Sequence, residues 1–134
     1  MRLPLQALLP SPKFGTTQKT TSTMPFEFGD VVLVPFPFTS QATSKKRPAI
    51  VVSSRAYNAA KPDLVVMAVT SQFRPSPSLG EVWVGQWNAA GLLKPSAIKP
   101  VFATLERRLV LRRLGTLDHG DQAALRKAIS EIIG

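Results

Sequence analysis

Two short apolar runs constrain the fold of this chain more than any other feature. Residues 47–53 and 64–70 are rich in β-branched side chains, and each run has the length of a buried strand. Arg47 stands where the first run begins, and Thr70 stands where the second run ends. If the two strands pair antiparallel, the start of one lies beside the end of the other. The sequence therefore predicts a cation and a hydroxyl at one edge of a sheet, where they can hold a phosphate group.

The composition narrows the kinds of site that the chain can carry. It has no cysteine, which excludes disulfides and thiolate ligands and fits a reducing cytoplasm. Its one histidine and eight carboxylates form no cluster with the spacing of metal ligands, so we expect no metal and no other cofactor. The formal charge of +9 favours nucleic acid or an acidic protein as the partner over an ordinary solvated basic surface.

The first 23 residues differ in character from the rest of the chain. They are rich in Pro, Ser and Thr, and their apolar stretch at residues 3–9 is broken by Pro4. That stretch is too short for a convincing signal peptide or membrane span, so we expect no membrane association. We predict that residues 1–23 are a dispensable tail or follow an incorrectly assigned start codon. Residues 24–134 are expected to form one domain.

Alternating and continuous apolar patterns predict a mainly β domain. In the strand predicted over residues 31–38, Val32 and Val34 lie on one face, and Val31 and Leu33 lie on the other. Further elements are expected after the two central runs. These are a short helix over 56–60, strands over 81–85, 97–103 and 109–111, and a turn over 104–108.

The carboxy terminus carries the clearest helical signal. Apolar residues recur with helical spacing at Leu125, Ala128, Ile129, Ile132 and Ile133. An aspartate just before this pattern, at position 118 or 121, can cap the amino end of the helix. Together these patterns predict an α+β fold, mainly β, in which five or more antiparallel strands form a small SH3-like barrel covered by one helix.

Several segments in order resemble the MazF/PemK family of toxin ribonucleases. The likeness covers roughly residues 26–134. It is carried by Phe28-Gly29-Asp30-Val31-Val32-Leu33-Val34, Pro35-Phe36-Pro37-Phe38-Thr39, the loop over residues 40–46, Arg47-Pro48-Ala49, Ala68-Val69-Thr70-Ser71, Gly91-Leu92, Ser96-Ala97-Ile98-Lys99 and Leu114-Gly115-Thr116-Leu117. The resemblance implies the toxin of a type II toxin–antitoxin system. Such a toxin is a homodimer, and it is held by an acidic antitoxin that is partly disordered and folds on binding.

The resemblance also implies an activity and its catalytic residues. It implies a metal-independent endoribonuclease that cleaves single-stranded RNA to a 2′,3′-cyclic phosphate and a 5′-hydroxyl. Arg47 would stabilise the charge on the phosphate, because its planar fork donates two parallel hydrogen bonds. Thr70 would orient the same phosphate. The alternatives are that Arg47 pairs on the surface with Asp30 or Glu81, and that Thr70 only ends a strand.

Five further residues are candidates for substrate binding. Lys45 and Lys46 precede Arg47 and can contact flanking phosphates, although solvated loop charges have the same pattern. Ser71 can support Thr70, and Lys99 lies in a segment that resembles the family. Trp87, beside Asn88 and Gly91, is a candidate for stacking on an RNA base. Trp83 is better explained as a core or dimer contact.

Other residues have a simpler structural explanation. The basic run 105–115 holds four arginines, and its simplest interpretation is a solvated face. His119 lies in a capping turn before the last helix, so the predicted mechanism depends on arginine and not on histidine.

One stretch departs from the family pattern. Many members carry an Asp-Gln pair where this chain has Val101-Phe102, so the general base is not identified. Lys99 or the backbone could replace it. Two alternative functions therefore stay open: a gyrase-inhibiting toxin of the same fold, and an RNA-binding barrel without catalysis.

Overall fold

Six strands and two α-helices make up the part of the chain that the structure describes. The structure is a computed structural model, and it describes residues 25–35, 45–72 and 75–134. The elements follow in the order β1 (Asp30–Pro35), β2 (Lys46–Val51), α1 (Arg55–Ala60), β3 (Asp63–Thr70), β4 (Val82–Trp83), β5 (Ala97–Glu106), a 3₁₀ turn (Arg107–Leu109), β6 (Arg112–Thr116) and α2 (His119–Ile133). The predicted tail at residues 1–23, and residues 36–38 of the first predicted strand, lie outside the described residues.

The strands form one antiparallel sheet in the order β4-β5-β3-β2-β1-β6. β1 pairs with β2 on one side and with β6 on the other, and its ladder to β6 shifts register between Val31 and Val32. A second irregularity interrupts the pairing of β3 with β5 between Met67 and Val69. Such irregularities bend a strand and increase its local twist. The sheet is curled into a half-barrel, and the predicted mainly β fold with a carboxy-terminal helix is confirmed.

The two faces of the sheet carry separate apolar clusters. Val31 belongs to the cluster under α2, whereas Val32 and Val34 belong to the cluster on the opposite face, as the alternation predicts. β2 and β3 contribute to both clusters, so these strands are buried on both faces. This double burial is the physical reason for their almost continuous apolar sequence.

Helix α2 covers one face of the sheet and is tied to it at its amino end. The Asp118 carboxylate accepts from the N–H of Asp121 at 2.8 Å, which makes Asp118 the cap. Leu125 and Ala128 are buried, as predicted. Ile132 and Ile133 are 37% and 67% exposed.

Three predicted strand boundaries are wrong. β5 is longer than predicted, because residues 104–106 pair with residues 63–65 of β3 and do not form a turn. No strand covers residues 109–111: the 3₁₀ turn ends at Leu109, and the strand begins at Arg112, where the chain pairs with β1. β4 has two residues, not the five predicted over 81–85. In the part of the chain described, no helix has the length and apolar character needed to cross a membrane.

Candidate active site

A cleft of about 450 Å³ opens where β2 begins and β3 ends. Strands β1 and β6 supply part of its surface, and the segment between β4 and β5 forms a wall. The lining includes Leu33, Arg47, Pro48, Thr70, Lys94 and Arg112. The cleft therefore lies at the sheet edge for which the sequence predicts a phosphate site.

The pairing of β2 with β3 brings Arg47 and Thr70 to the same place. The strands are antiparallel, and Ala49 pairs with Ala68. The same register, continued by two residues, sets Arg47 opposite Thr70, and both residues line the cleft. Their predicted juxtaposition is confirmed, while their catalytic roles stay a prediction.

Arg47 is exposed, and its guanidinium makes no ion pair or hydrogen bond with the residues that the structure describes. Neither of the surface partners considered for it pairs with it. Asp30 pairs with Arg113 at 3.2 Å, and Glu81 accepts from the N–H of Ser78 at 3.1 Å. The donors of Arg47 therefore remain free for a ligand in the cleft.

The Thr70 hydroxyl shapes the chain that leaves β3. It accepts from the N–H of Gln72 at 3.0 Å and lies 3.1 Å from the carbonyl of the same residue, to which it can donate. This local turn is typical of a threonine at a strand end. The turn holds Ser71 and Gln72 along the cleft. Because the hydroxyl hydrogen can rotate, Thr70 can exchange its weak local contact for a phosphate oxygen.

Two glycines allow the cleft wall to approach β6 closely. A Cβ on Gly91, whose φ is +88°, would lie 2.1 Å from the carbonyl oxygen of Leu114. A Cβ on Gly115 would lie 2.3 Å from the carbonyl oxygen of Ala90. Only residues without a side chain permit this contact of backbone with backbone. The contact fixes the segment that carries Lys94 beside the strand that carries Arg112.

The charge of the cleft has a single sign. Arg47, Lys94 and Arg112 line it, and no carboxylate is among the described lining residues. A concave surface with cations only attracts polyanions. Arginine forks and hydroxyls within the same cleft can orient a phosphodiester and stabilise negative charge on its oxygens.

The other predicted binding residues are divided between the cleft and the rest of the surface. Ser71 lines the cleft. Lys45 and Lys46 are exposed at the start of β2, next to Arg47. Trp87 is half-buried and packs against the core under α2, and Lys99 is half-buried on β5. Trp87 and Lys99 are not part of the cleft lining, and their contact with a substrate stays a prediction.

Sequence reasoning missed Lys94 and Arg112, both of which line the cleft. Arg112 was hidden in a basic run whose simplest interpretation is a solvated face. The adjacent Arg113 could have indicated that the two arginines differ in role, because neighbouring residues of a strand point to opposite faces of a sheet. Two consecutive arginines on a strand cannot both lie on the same face.

Two remaining predictions concern residues away from the cleft. His119 is the exposed first residue of α2, consistent with its predicted place in a capping turn. At the positions of the missing Asp-Gln pair, Val101 and Phe102 pack against the two apolar clusters, so these positions are used for packing. Among the described residues, no group of His, Asp and Glu side chains could hold a metal ion.

The fold is shared with solved toxin structures. MazF from Deinococcus radiodurans matches with a TM-score of 0.63 and 21% identity, over 82% of this chain and 97% of that one. The Mycobacterium tuberculosis toxin MazF-mt6 matches at 0.62 and 20%, over 75% and 92%. A mycobacterial endoribonuclease in complex with its cognate antitoxin matches at 0.61 and 16%, over 79% and 90%. At these identities the likeness shows the fold.

The family is shown by the sequence itself. No curated protein matches the chain. A family model described as PemK-like, MazF-like toxin of type II toxin–antitoxin system matches residues 27–133, which is most of the chain. The fold, the cleft and this match agree, and the chain belongs to the PemK-like, MazF-like toxins of type II toxin–antitoxin systems.

Proposed function

We propose that this toxin is an endoribonuclease that cleaves single-stranded RNA without a metal ion. The observation that carries the proposal is the meeting of Arg47 and Thr70 in a cleft whose charged residues, among those described, are all cations. The cleft has the donors that a phosphodiester requires. With one histidine and no cysteine in the sequence, the chain is poorly equipped for metal ligation.

The proposed reaction is an internal transesterification of RNA. The 2′-oxygen attacks the adjacent phosphorus and loses its proton, and the bond from phosphorus to the 5′-oxygen breaks. The products are a 2′,3′-cyclic phosphate and a 5′-hydroxyl, because the leaving oxygen takes a proton from water. Arg47 stabilises the charge on the pentavalent phosphate, and Thr70 orients a second phosphate oxygen. Since no described lining residue is a carboxylate or an imidazole, water takes the proton from the 2′-hydroxyl.

The proposal includes the partners of the toxin. It acts in the cytoplasm as a homodimer, and an acidic antitoxin segment covers the basic cleft and neutralises it. The charge of +9 supports an acidic partner. Leu93, which is 94% exposed at the cleft, gives such a segment an apolar contact as well.

The test is cleavage of a pooled RNA substrate in EDTA, with the ends of the products identified. Wild type should yield 5′-hydroxyl and 2′,3′-cyclic phosphate ends. Arg47→Ala should lower the rate by about 10²–10³, as for the loss of other preorganised donors to a developing oxyanion. Arg47→Lys should also be slow, because an ammonium cannot reproduce the bidentate fork.

Matched variants separate catalysis from folding. Arg55→Ala removes the same charge from an exposed residue beyond the other end of β2, and it should cleave like wild type. Thr70→Val should be slower than wild type, and Thr70→Ser should restore much of the rate. If Arg47→Ala cleaved as fast as Arg55→Ala, the arginine-centred mechanism would be wrong. If wild type did not cleave RNA in EDTA, the ribonuclease proposal would give way to the alternatives of a gyrase-inhibiting toxin or an RNA-binding barrel without catalysis.

A further inference from the structure

Three of the four arginines in the basic run 105–115 are engaged in contacts within the domain. Arg107 donates to the backbone carbonyls of Asn58 and Lys61. Arg113 pairs with the buried Asp30 at 3.2 Å and lies over an aromatic ring. Arg108 pairs with the neighbouring carboxylate of Glu106. These contacts occupy the three arginines within the domain, although the Arg108 pair is exposed and contributes little to stability.

Arg112 is the exception. It is exposed, it lines the cleft, and it forms no ion pair or hydrogen bond within the described ranges of the chain. The alternation along β6 explains the difference from Arg113, because the two side chains point to opposite faces. Arg113 is used to hold β6 to β1, and Arg112 is left with free donors in the cleft.

The pairing of β1 sets the distance between Arg112 and the Arg47 site. Leu33 of β1 pairs with Pro48 on one side and with Arg112 on the other. Two inter-strand spacings of about 4.8 Å therefore separate Arg112 from Pro48, which gives roughly 10 Å between the backbones. Arg47 immediately precedes Pro48. Arg47 and Arg112 both line the cleft, on strands that flank β1 on its two sides.

Lys94 adds a second charge on the side of Arg112. The glycine contact between the wall and β6 fixes its segment beside this strand. The Ser96 hydroxyl donates to the Lys94 carbonyl at 2.8 Å and holds the bend that follows. Lys94 is exposed, lines the cleft and, within the part of the chain described, has no ion pair.

We propose that Arg112, assisted by Lys94, forms a second phosphate subsite that binds the RNA phosphate adjacent to the one held by Arg47. The proposal rests on the proposed ribonuclease function, since it describes how that substrate lies in the cleft. It predicts that an efficient substrate carries at least two phosphodiesters. A substrate with one phosphodiester fills the Arg47 site alone and gains nothing from Arg112.

The first test measures binding without cleavage. A 2′-O-methyl oligonucleotide binds in the cleft but lacks the attacking hydroxyl, so its affinity reports contacts and not turnover. For single strands, the logarithm of the binding constant falls with the logarithm of salt concentration by about 0.7 per phosphate contact. Arg112→Ala should weaken binding about tenfold and reduce this slope by about 0.7. Lys94→Ala should have a smaller effect, and Arg112→Lys should retain the slope.

The second test compares substrates of two lengths. Pooled RNA first identifies the dinucleotide at which the toxin cleaves. Cleavage is then measured on that dinucleotide, which has one phosphodiester, and on the two trinucleotides that add a second phosphodiester on its 5′ or its 3′ side. Wild type should cleave one of the longer substrates more efficiently, mainly through a lower KM. Arg112→Ala should lose this advantage, so that it cleaves the longer and the short substrate with similar kcat/KM. Arg55→Ala should behave like wild type in both tests.

The outcomes separate the subsite from the proposed function. If Arg112→Ala matched Arg55→Ala in salt slope and length dependence, the subsite would be absent even if the toxin cleaves RNA. If wild type cleaved no RNA while Arg112→Ala still lost salt slope, the ribonuclease proposal would fail and the phosphate subsite would stand. Equal unfolding midpoints of Arg112→Ala and Arg55→Ala in urea would establish that the changes in salt slope and length dependence do not come from misfolding.

Discussion

The attachment of α2 to the cleft wall gives the most quantitative prediction about stability. The Asp121 carboxylate is only 9% exposed as a residue and accepts from two backbone N–H groups, that of Gly85 at 3.0 Å and that of Gln86 at 2.9 Å. These bonds join the first turn of α2 to the chain that follows β4. Asp121→Ala removes both acceptors at once and leaves two donors without a partner.

The magnitude follows from the two bonds. A hydrogen bond to a charged group contributes roughly 1.5–3 kcal/mol, so the pair sets an upper range of about 3–6 kcal/mol. Gly85 and Gln86 are exposed, and water can satisfy part of the loss. We therefore expect the free energy of unfolding to fall by about 2–4 kcal/mol. Asp121→Asn keeps one acceptor oxygen but turns an NH₂ group toward the other N–H, and it should recover less than half of the loss.

Urea denaturation measures this effect, with an unchanged m value as evidence that the variant still unfolds in two states. Asp118→Ala is the matched control, since it removes an aspartate from the same helix start and deletes one capping bond. It should cost about 1 kcal/mol. If Asp121→Ala cost no more than Asp118→Ala, the two bonds to the wall would not stabilise the fold as argued.

Three further predictions concern other parts of the molecule. Gly91→Ala should lower the free energy of unfolding by more than about 2 kcal/mol, because the positive φ costs about 1–2 kcal/mol and the new Cβ overlaps a backbone carbonyl. Urea unfolding measures this loss, and a loss below about 1 kcal/mol would contradict the prediction. A chain that begins at Met24 should melt within a few degrees of the full chain and keep its activity, and a large drop in its melting temperature would show that the tail stabilises the domain. Sedimentation at micromolar concentration should give twice the mass of 14.6 kDa, because Leu111 is 51% exposed beside the exposed Leu109; a monomer would contradict the homodimer.

The sequence predicted the sheet edge that carries Arg47 and Thr70 because burial on both faces leaves a strong local signal. β2 and β3 fill two apolar clusters, so their residues are apolar almost without interruption, and the polar residues at their ends stand out. Antiparallel pairing then places those ends together without knowledge of the remaining fold.

The rest of the site depends on contacts that local patterns do not reveal. Residues 109–111 are apolar, which suggests a strand. β1 instead pairs with β6, the more polar segment that follows, because the ion pair of Asp30 with Arg113 joins β1 to β6. Val82 is buried within the monomer, because β4 is a short strand that packs under α2. Lys94 has no sequence signal, since only the tertiary contact of its segment with β6 brings it to the cleft.

Where Gly91 and Gly115 meet, the backbone sets the width of the cleft, whereas side chains set its charge. Main-chain atoms meet at this crossing, so the gap between wall and β6 is set by the backbone and not by the side chains that line it. Residues such as Lys94 and Arg112 extend from this fixed frame, and substitutions there alter the charge or reach of the lining while its walls keep their places. Substitutions of Lys94 or Arg112 can therefore change which ligands the cleft favours without moving its walls, provided that both glycines are retained.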